Sequence, residues 1–221
     1  MKELSDFLKE FVTPKLKPLG FRRKGQVYRL DGDSGDVAFI HFTPVRIDPH
    51  AVVFHARCSF VPEPHWQFLN RQHMVAGVPE AKESGALASY SLMPPDSAAH
   101  APASSGVFRT RWAFGDRNRA EVGEVLVEAL VAEVPRIRQL LVRENLLAAI
   151  ESPETPSIRR RGALQSELLL MVDEYDRERV QELLSRMGED DPFIELFNRW
   201  AYMRRGLQSG LRRSRRASGS W

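Results

Sequence analysis

At 221 residues, with 43% hydrophobic and 28% charged side chains, the chain can bury a core and falls outside the disordered and fibrous classes. No apolar run reaches the roughly 20 residues of a spanning helix, Met1-Lys2-Glu3-Leu4-Ser5-Asp6 has no apolar leader stretch, and Cys58 is the single cysteine, so an internal disulfide is excluded and a cytoplasmic protein is expected. Six arginines and no acid stand from Arg204 onward; taking them from the 32 Lys and Arg leaves 26 against 29 acids, so the net +3 becomes −3 and the basicity belongs to the C-terminal end.

Leu4, Phe7, Leu8, Phe11 and Val12 follow the i, i+3, i+4, i+7, i+8 spacing of a one-sided helix. Thr13-Pro14 kinks it, Leu16 and Leu19 continue the stripe, and Gly20 stops it. After the basic run Arg22-Arg23-Lys24, Tyr28-Arg29-Leu30 begins a strand, and Asp31-Gly32-Asp33-Ser34-Gly35-Asp36 is a turn. Two alternating strands follow at 37–43 and 51–61, joined by a loop with two prolines. Residues 62–106 hold six of the fourteen prolines, which argues for loops, with a candidate strand at 87–93 and a flexible linker at 96–106. In the strand at 108–114, Phe108, Thr110, Trp112 and Phe114 share one face, and Arg109 and Arg111 take the other. Val122, Val125, Leu126, Ala129, Leu130, Val134, Ile137 and Leu141 trace a helix, kinked or restarted at Pro135. Beyond the proline-rich boundary at 152–157, helical patterns run over 158–172, 176–187 and 192–205; Gly188 ends the second, and Asp191-Pro192 starts the third as N-cap and first residue.

Leu19-Gly20-Phe21-Arg22-Arg23-Lys24-Gly25, Tyr28-Arg29, the strand 37–42, Arg111-Trp112 and the helix through Pro135 and Ile137 resemble a family of uncharacterised bacterial proteins, domain of unknown function 4304, over residues 1–145. The resemblance implies an α+β layout of helix, hairpin, strand, loop, strand and helix. It carries no activity, ligand or catalytic residue, and residues 157–221 lie outside it. The expected fold is therefore α+β: an antiparallel sheet of about four strands packed on one face by helices over 1–150, a linker at 151–157, a small helical C-terminal appendage at 158–205, and a flexible basic tail at 206–221.

Pairing Phe42 with Phe54 and Ile40 with Ala56 gives one apolar face: Ala38, Ile40, Phe42, Phe54, Ala56, Cys58 and Phe60. His41 then faces His55, Phe39 faces Arg57, and the second face gathers Arg29, His41, His55, Arg57, Arg109 and Arg111, with no acid in those strands. Such a face suits an anionic partner; equally, it is what the solvated side of any antiparallel sheet looks like. His41 and His55 lack a third metal ligand, Asp31, Asp33 and Asp36 fit a turn better than a calcium loop, Cys58 sits where a cysteine acts as a small hydrophobe, and His65 and His73 fit packing or surface roles. No phosphate-cradling loop, paired-cysteine zinc pattern, HExxH or serine elbow is present. No cofactor is expected. The expected function is a non-enzymatic binding or interaction module that docks an acidic protein surface or anionic ligand on the basic sheet face. The alternative is an enzyme acting on a phosphorylated or other anionic small molecule, with a histidine moving the proton. A third reading is weak, salt-sensitive nucleic-acid binding through the arginine-rich end. No membrane partner is expected.

Overall fold

The computed structural model describes residues 2–99, 110–152, 163–188 and 190–217, with side chains described as far as Arg205. The chain forms two compact units, Met1–Glu63 with Ala81–Arg161, and Pro64–Glu80 with Gly162–Trp221.

The first unit is α+β. Helix α1, Lys2–Phe7, widens into one π-helical turn, Leu8–Val12, and continues as α2, Thr13–Leu16. The widening has a local cause. Pro14 has no N–H to give, and the Thr13 N–H reaches back to the Leu8 carbonyl. Thr13 Oγ1 and the Tyr28 hydroxyl donate to the same oxygen, each at 3.0 Å. Gly20, with φ of 93°, ends the segment in the left-handed conformation.

Six strands follow rather than about four: β1 Arg22–Lys24, β2 Val27–Asp31, β3 Val37–Val45, β4 Val52–Val61, β5 Ala88–Leu92 and β6 Trp112–Phe114. They pair antiparallel in the order β1-β2-β3-β4-β5, and β6 joins the same edge of β4 end to end with β5. The β3–β4 register is two residues away from the one expected: Phe42 faces Ala56, Ile40 faces Cys58, His41 faces Arg57 and Phe39 faces Ser59. A slip of two leaves every side chain on its own face, so the alternation does not decide between the two registers. Setting Phe42 against the small Ala56 avoids placing two phenylalanine rings directly opposite each other.

The apolar face is as expected: Ala38, Ile40, Phe42, Phe54, Ala56, Cys58 and Phe60 are each at most 2% exposed. Phe7 of α1 lies on it, stacked on Phe114 at 4.1 Å between centroids and 6.2 Å from Phe54. After α3, Glu63–Leu69, the next long helix is α4, Arg119–Leu140, which buries Val122, Leu126, Leu130, Val134 and Ile137. Pro135 does not restart it as a second helix; α4 is continuous through it. Pro135 is exposed, and the carbonyl deprived of its bond is that of Val131, itself 41% exposed, on the outer face of the helix. α5, Arg143–Glu151, ends the described part of this unit. The linker expected at 96–106 begins instead as a 3-10 turn, Asp96–Ala98, with Ala98 2% exposed and Ala99 bridged to Trp112; residues 100–109 lie outside the described residues.

Gly123 sets how closely α4 approaches the N-terminal segment. A Cβ there would meet the Phe11 ring at 2.5 Å. Gly123→Ala is expected to destabilise the protein by about 1–3 kcal/mol, the overpacking cost outweighing alanine's ~1 kcal/mol helix advantage. Urea unfolding checks this, and a variant as stable as the parent would contradict the close crossing.

The second unit consists of α6 Ala163–Leu170, α7 Arg177–Ser185 and α8 Pro192–Ala217, with residues 64–80 added. Its core joins Phe68 and Met74 to Leu168, Leu183, Phe197 and Trp200. The helical appendage thus includes residues 64–80, where the prolines argue for loops. Asp176 accepts the Arg179 N–H at 2.8 Å, and Asp191 accepts that of Phe193 at 2.9 Å, the N-cap expected ahead of Pro192. The α8 backbone runs through residues 206–217, where a flexible tail was expected. Arg204 is 5% exposed and held by Asp173 at 2.9 and 2.6 Å, so the first arginine of the basic run belongs to the core.

Candidate functional site

The second face of the sheet is built by cross-strand rows. One row runs Arg22, Arg29, Phe39, Ser59, Ser89; the next runs Lys24, Val27, His41, Arg57, Ser91. His55 follows opposite Thr43, and Arg111 stands immediately before β6. Of the six residues singled out from the sequence, His41, His55, Arg57 and Arg111 gather at β3, β4 and the start of β6. Arg109 lies outside the described residues.

Arg29 is a different case. Asp31 closes β2 instead of sitting in the turn, so these strands do contain an acid on this face. Arg29 Nε donates to Asp31 Oδ1 at 2.7 Å and Nη1 donates to the Ala81 carbonyl at 3.2 Å; Arg22 also pairs with Asp31. Burial pushes the Asp31 carboxyl up, but the two arginines outweigh it and hold it below the usual carboxylate range. Arg29 is therefore a neutralised, structural arginine.

Arg57 is partly buried and has no carboxylate partner among the described residues. Its field reaches both histidines. Burial lowers the His41 pKa, Arg57 lowers it further, and Glu83 opposes them. His41 Nε2 lies 3.2 Å from Ser59 Oγ, a buried hydroxyl outside the six expected site residues that strand alternation also places on this face. Burial also lowers His55, then Arg111 and Arg57, against a hydrogen bond to the Thr110 backbone. Both imidazoles are therefore neutral at pH 7. The 3-10 turn Glu83–Gly85 packs on β4 and brings Glu83 to this end of the sheet; an acid so far from the strands in sequence gives no local signal.

In the unfolded chain these histidines take protons near pH 6.5, whereas in the folded chain they do so only at lower pH. Their contribution to stability is complete above 6.5 and is lost as pH falls through the folded values. Unfolding midpoints in urea are expected to drop between about pH 7.5 and 5.5, and to drop less in the His41→Gln/His55→Gln double variant. Equal drops in both proteins would contradict the depressed values.

A cation is a poor guest here. Arg57 sits opposite His41 and two residues from His55, and no group of three His, Cys, Asp or Glu that could hold a metal occurs among the described residues. Cys58 points into the core, 1% exposed, and burial pushes its thiol up to about 12, which leaves it without nucleophilic character. The neighbouring Tyr90 hydroxyl donates to Glu133 at 2.7 Å. His65 is buried in the second unit and His73 is exposed. A cleft of about 690 Å³ near the β3–β4 loop brings together Asp48, Asp116, Glu3, His50 and Arg117, mixed charges that select no one ligand. Among the described residues, no helix is long and apolar enough to cross a membrane. No family model, curated protein or solved structure matches the chain.

Proposed function

We propose that the chain is a non-enzymatic binding protein that docks an acidic protein surface on the second face of its sheet, with Arg57 as anchor and Arg111, His41 and His55 around it. Arg57 carries this reading: it is a partly buried guanidinium with no carboxylate beside it among the described residues, next to two histidines held neutral. A cation in such a place is costly until an anion arrives, and a carboxylate meets a guanidinium with paired, charge-assisted hydrogen bonds. An arriving anion also favours the charged imidazoles, so binding takes up protons and tightens as pH falls. Calorimetry with a Glu/Asp-rich peptide is expected to show tighter binding at about pH 6 than at about pH 7.5, and about tenfold weaker binding in Arg57→Gln. An affinity indifferent to Arg57→Gln would sink the reading. One observation favours an enzyme acting on a phosphorylated small molecule as the second reading: His41 is neutral at pH 7 and in contact with Ser59, in a state to accept a proton. Arg57-dependent binding of inorganic phosphate, with none of the peptide, would support it.

A further inference from the structure

The sheet-face reading gives no role to the basic run that opens β1. Where the N-terminal helical segment ends at Gly20 and the chain enters β1, a pocket of about 360 Å³ opens, within the volume range of small-ligand sites. Phe21 and Tyr28, 3% and 1% exposed, supply apolar wall. Lys17, Arg22 and Arg23 line it as well, and no acidic residue does. Arg23 is fixed before any ligand arrives. Its Nη2 donates to the Ser5 carbonyl at 2.8 Å and to Ser5 Oγ at 3.0 Å, Nη1 to Thr13 Oγ1 at 3.3 Å, and Nε to the Gly25 carbonyl at 2.8 Å. The Leu8 carbonyl of the π-helical turn takes the hydroxyl protons of Thr13 and Tyr28, which leaves Thr13 Oγ1 to accept from Arg23. Every one of these acceptors is neutral, no carboxylate pairs with Arg23 among the described residues, and at least one of its guanidinium N–H groups is left over. Lys17 is exposed and forms no ion pair among the described residues, and Arg22 shares the Asp31 carboxylate with Arg29.

We propose that this pocket binds the phosphate monoester of a small apolar alcohol or phenol, with the phosphate held by Arg23, Lys17 and Arg22 and the organic group against Phe21. A phosphate monoester carries about two negative charges at pH 7 and three terminal oxygens. Arg23 and Lys17 match the charges, and Arg22, whose side chain is 66% exposed in a weak surface pair, can turn from Asp31 to a third oxygen. A carboxylate, with one charge, would leave one of the two unpaired cations unmatched. Because Arg23 is already held in place, little conformational entropy is lost when the anion arrives. The inference is independent of the sheet face, and Arg57→Gln leaves it unchanged.

Calorimetry on the full chain at low salt tests it, with phenyl phosphate as the probe and inorganic phosphate and benzoate beside it. Phenyl phosphate is expected to bind at one site, about fivefold or more tighter than inorganic phosphate, which lacks the ring, and than benzoate, which lacks the second charge. Lys17→Gln changes an exposed side chain and should weaken binding about fivefold with the urea midpoint unchanged. Arg23→Gln should weaken it about tenfold or more. Since Arg23→Gln also cuts the ties to Ser5 and Thr13, its urea midpoint is read alongside, and Lys17→Gln keeps the test decisive if that variant unfolds. No binding of phenyl phosphate, binding unmoved by Lys17→Gln, either comparison anion bound as tightly, or a loss of binding in Arg57→Gln would each overturn the proposal.

Discussion

Asp36→Ala is expected to cost the first unit about 3–5 kcal/mol, because it leaves a largely buried arginine without its principal anion. Asp36 is 3% exposed. Its Oδ1 accepts the Glu63 N–H at 2.7 Å and Arg143 Nη2 at 3.1 Å; its Oδ2 accepts Arg143 Nε at 2.9 Å and the Ser34 hydroxyl at 2.7 Å. One carboxylate thus joins the β2–β3 turn, the first residue of α3 and the first residue of α5. Alanine removes all four bonds. It leaves the Arg143 side chain, 12% exposed, with the Glu63 carboxylate at a longer 3.7 Å. Against a total stability of about 5–15 kcal/mol, this loss lowers the urea midpoint severely. Asp36→Asn, which keeps the shape and loses the charge, should fall between parent and alanine. A loss under about 1 kcal/mol for Asp36→Ala would put the pair in the class of exposed ion pairs and refute its structural role.

Phe54→Ala should cost about as much, 3–5 kcal/mol, by a different mechanism. Phe54 is 0% exposed at the centre of the aromatic cluster. Its ring lies 6.0 Å from Phe42, 6.2 Å from both Phe7 and Phe114, and 6.4 Å from Trp112. Those partners come from α1, β3 and β6, so none of them alone can move in to fill the space. The cost therefore includes an unrelaxed cavity as well as lost burial. Phe54→Leu, which refills part of the volume, should lose less than half as much. Equal losses for the two variants in calorimetric or urea unfolding would show that the cluster is not packed around this ring.

The faces of β3 and β4 were legible in the sequence because alternation reports burial directly, and all seven residues assigned to the core face are buried. Their register was not legible, since a two-residue slip preserves that alternation. β1 escaped as a strand because Arg22-Arg23-Lys24 is charged throughout and pairs as a three-residue edge, where hydrophobic patterning is weakest. The exchange of 64–80 into the second unit depends on contacts of Phe68 and Met74 with helices about a hundred residues later, and no local window contains them. At the site, strand parity brought His41, His55, Arg57 and Arg111 to one face. It did not show that Asp31 extends β2 to neutralise Arg29, or that Glu83 returns beside His41.

The most direct measurement is a proton NMR titration of the histidine imidazoles in the full chain and in Arg57→Gln, with His41 and His55 assigned by their glutamine variants. If Arg57 is an uncompensated cation on the second sheet face, both histidines titrate below 6.5 in the parent, both rise in Arg57→Gln, and both rise in the parent when an acidic peptide is added. Histidines that titrate at or above 6.5 and do not respond to Arg57→Gln would contradict it.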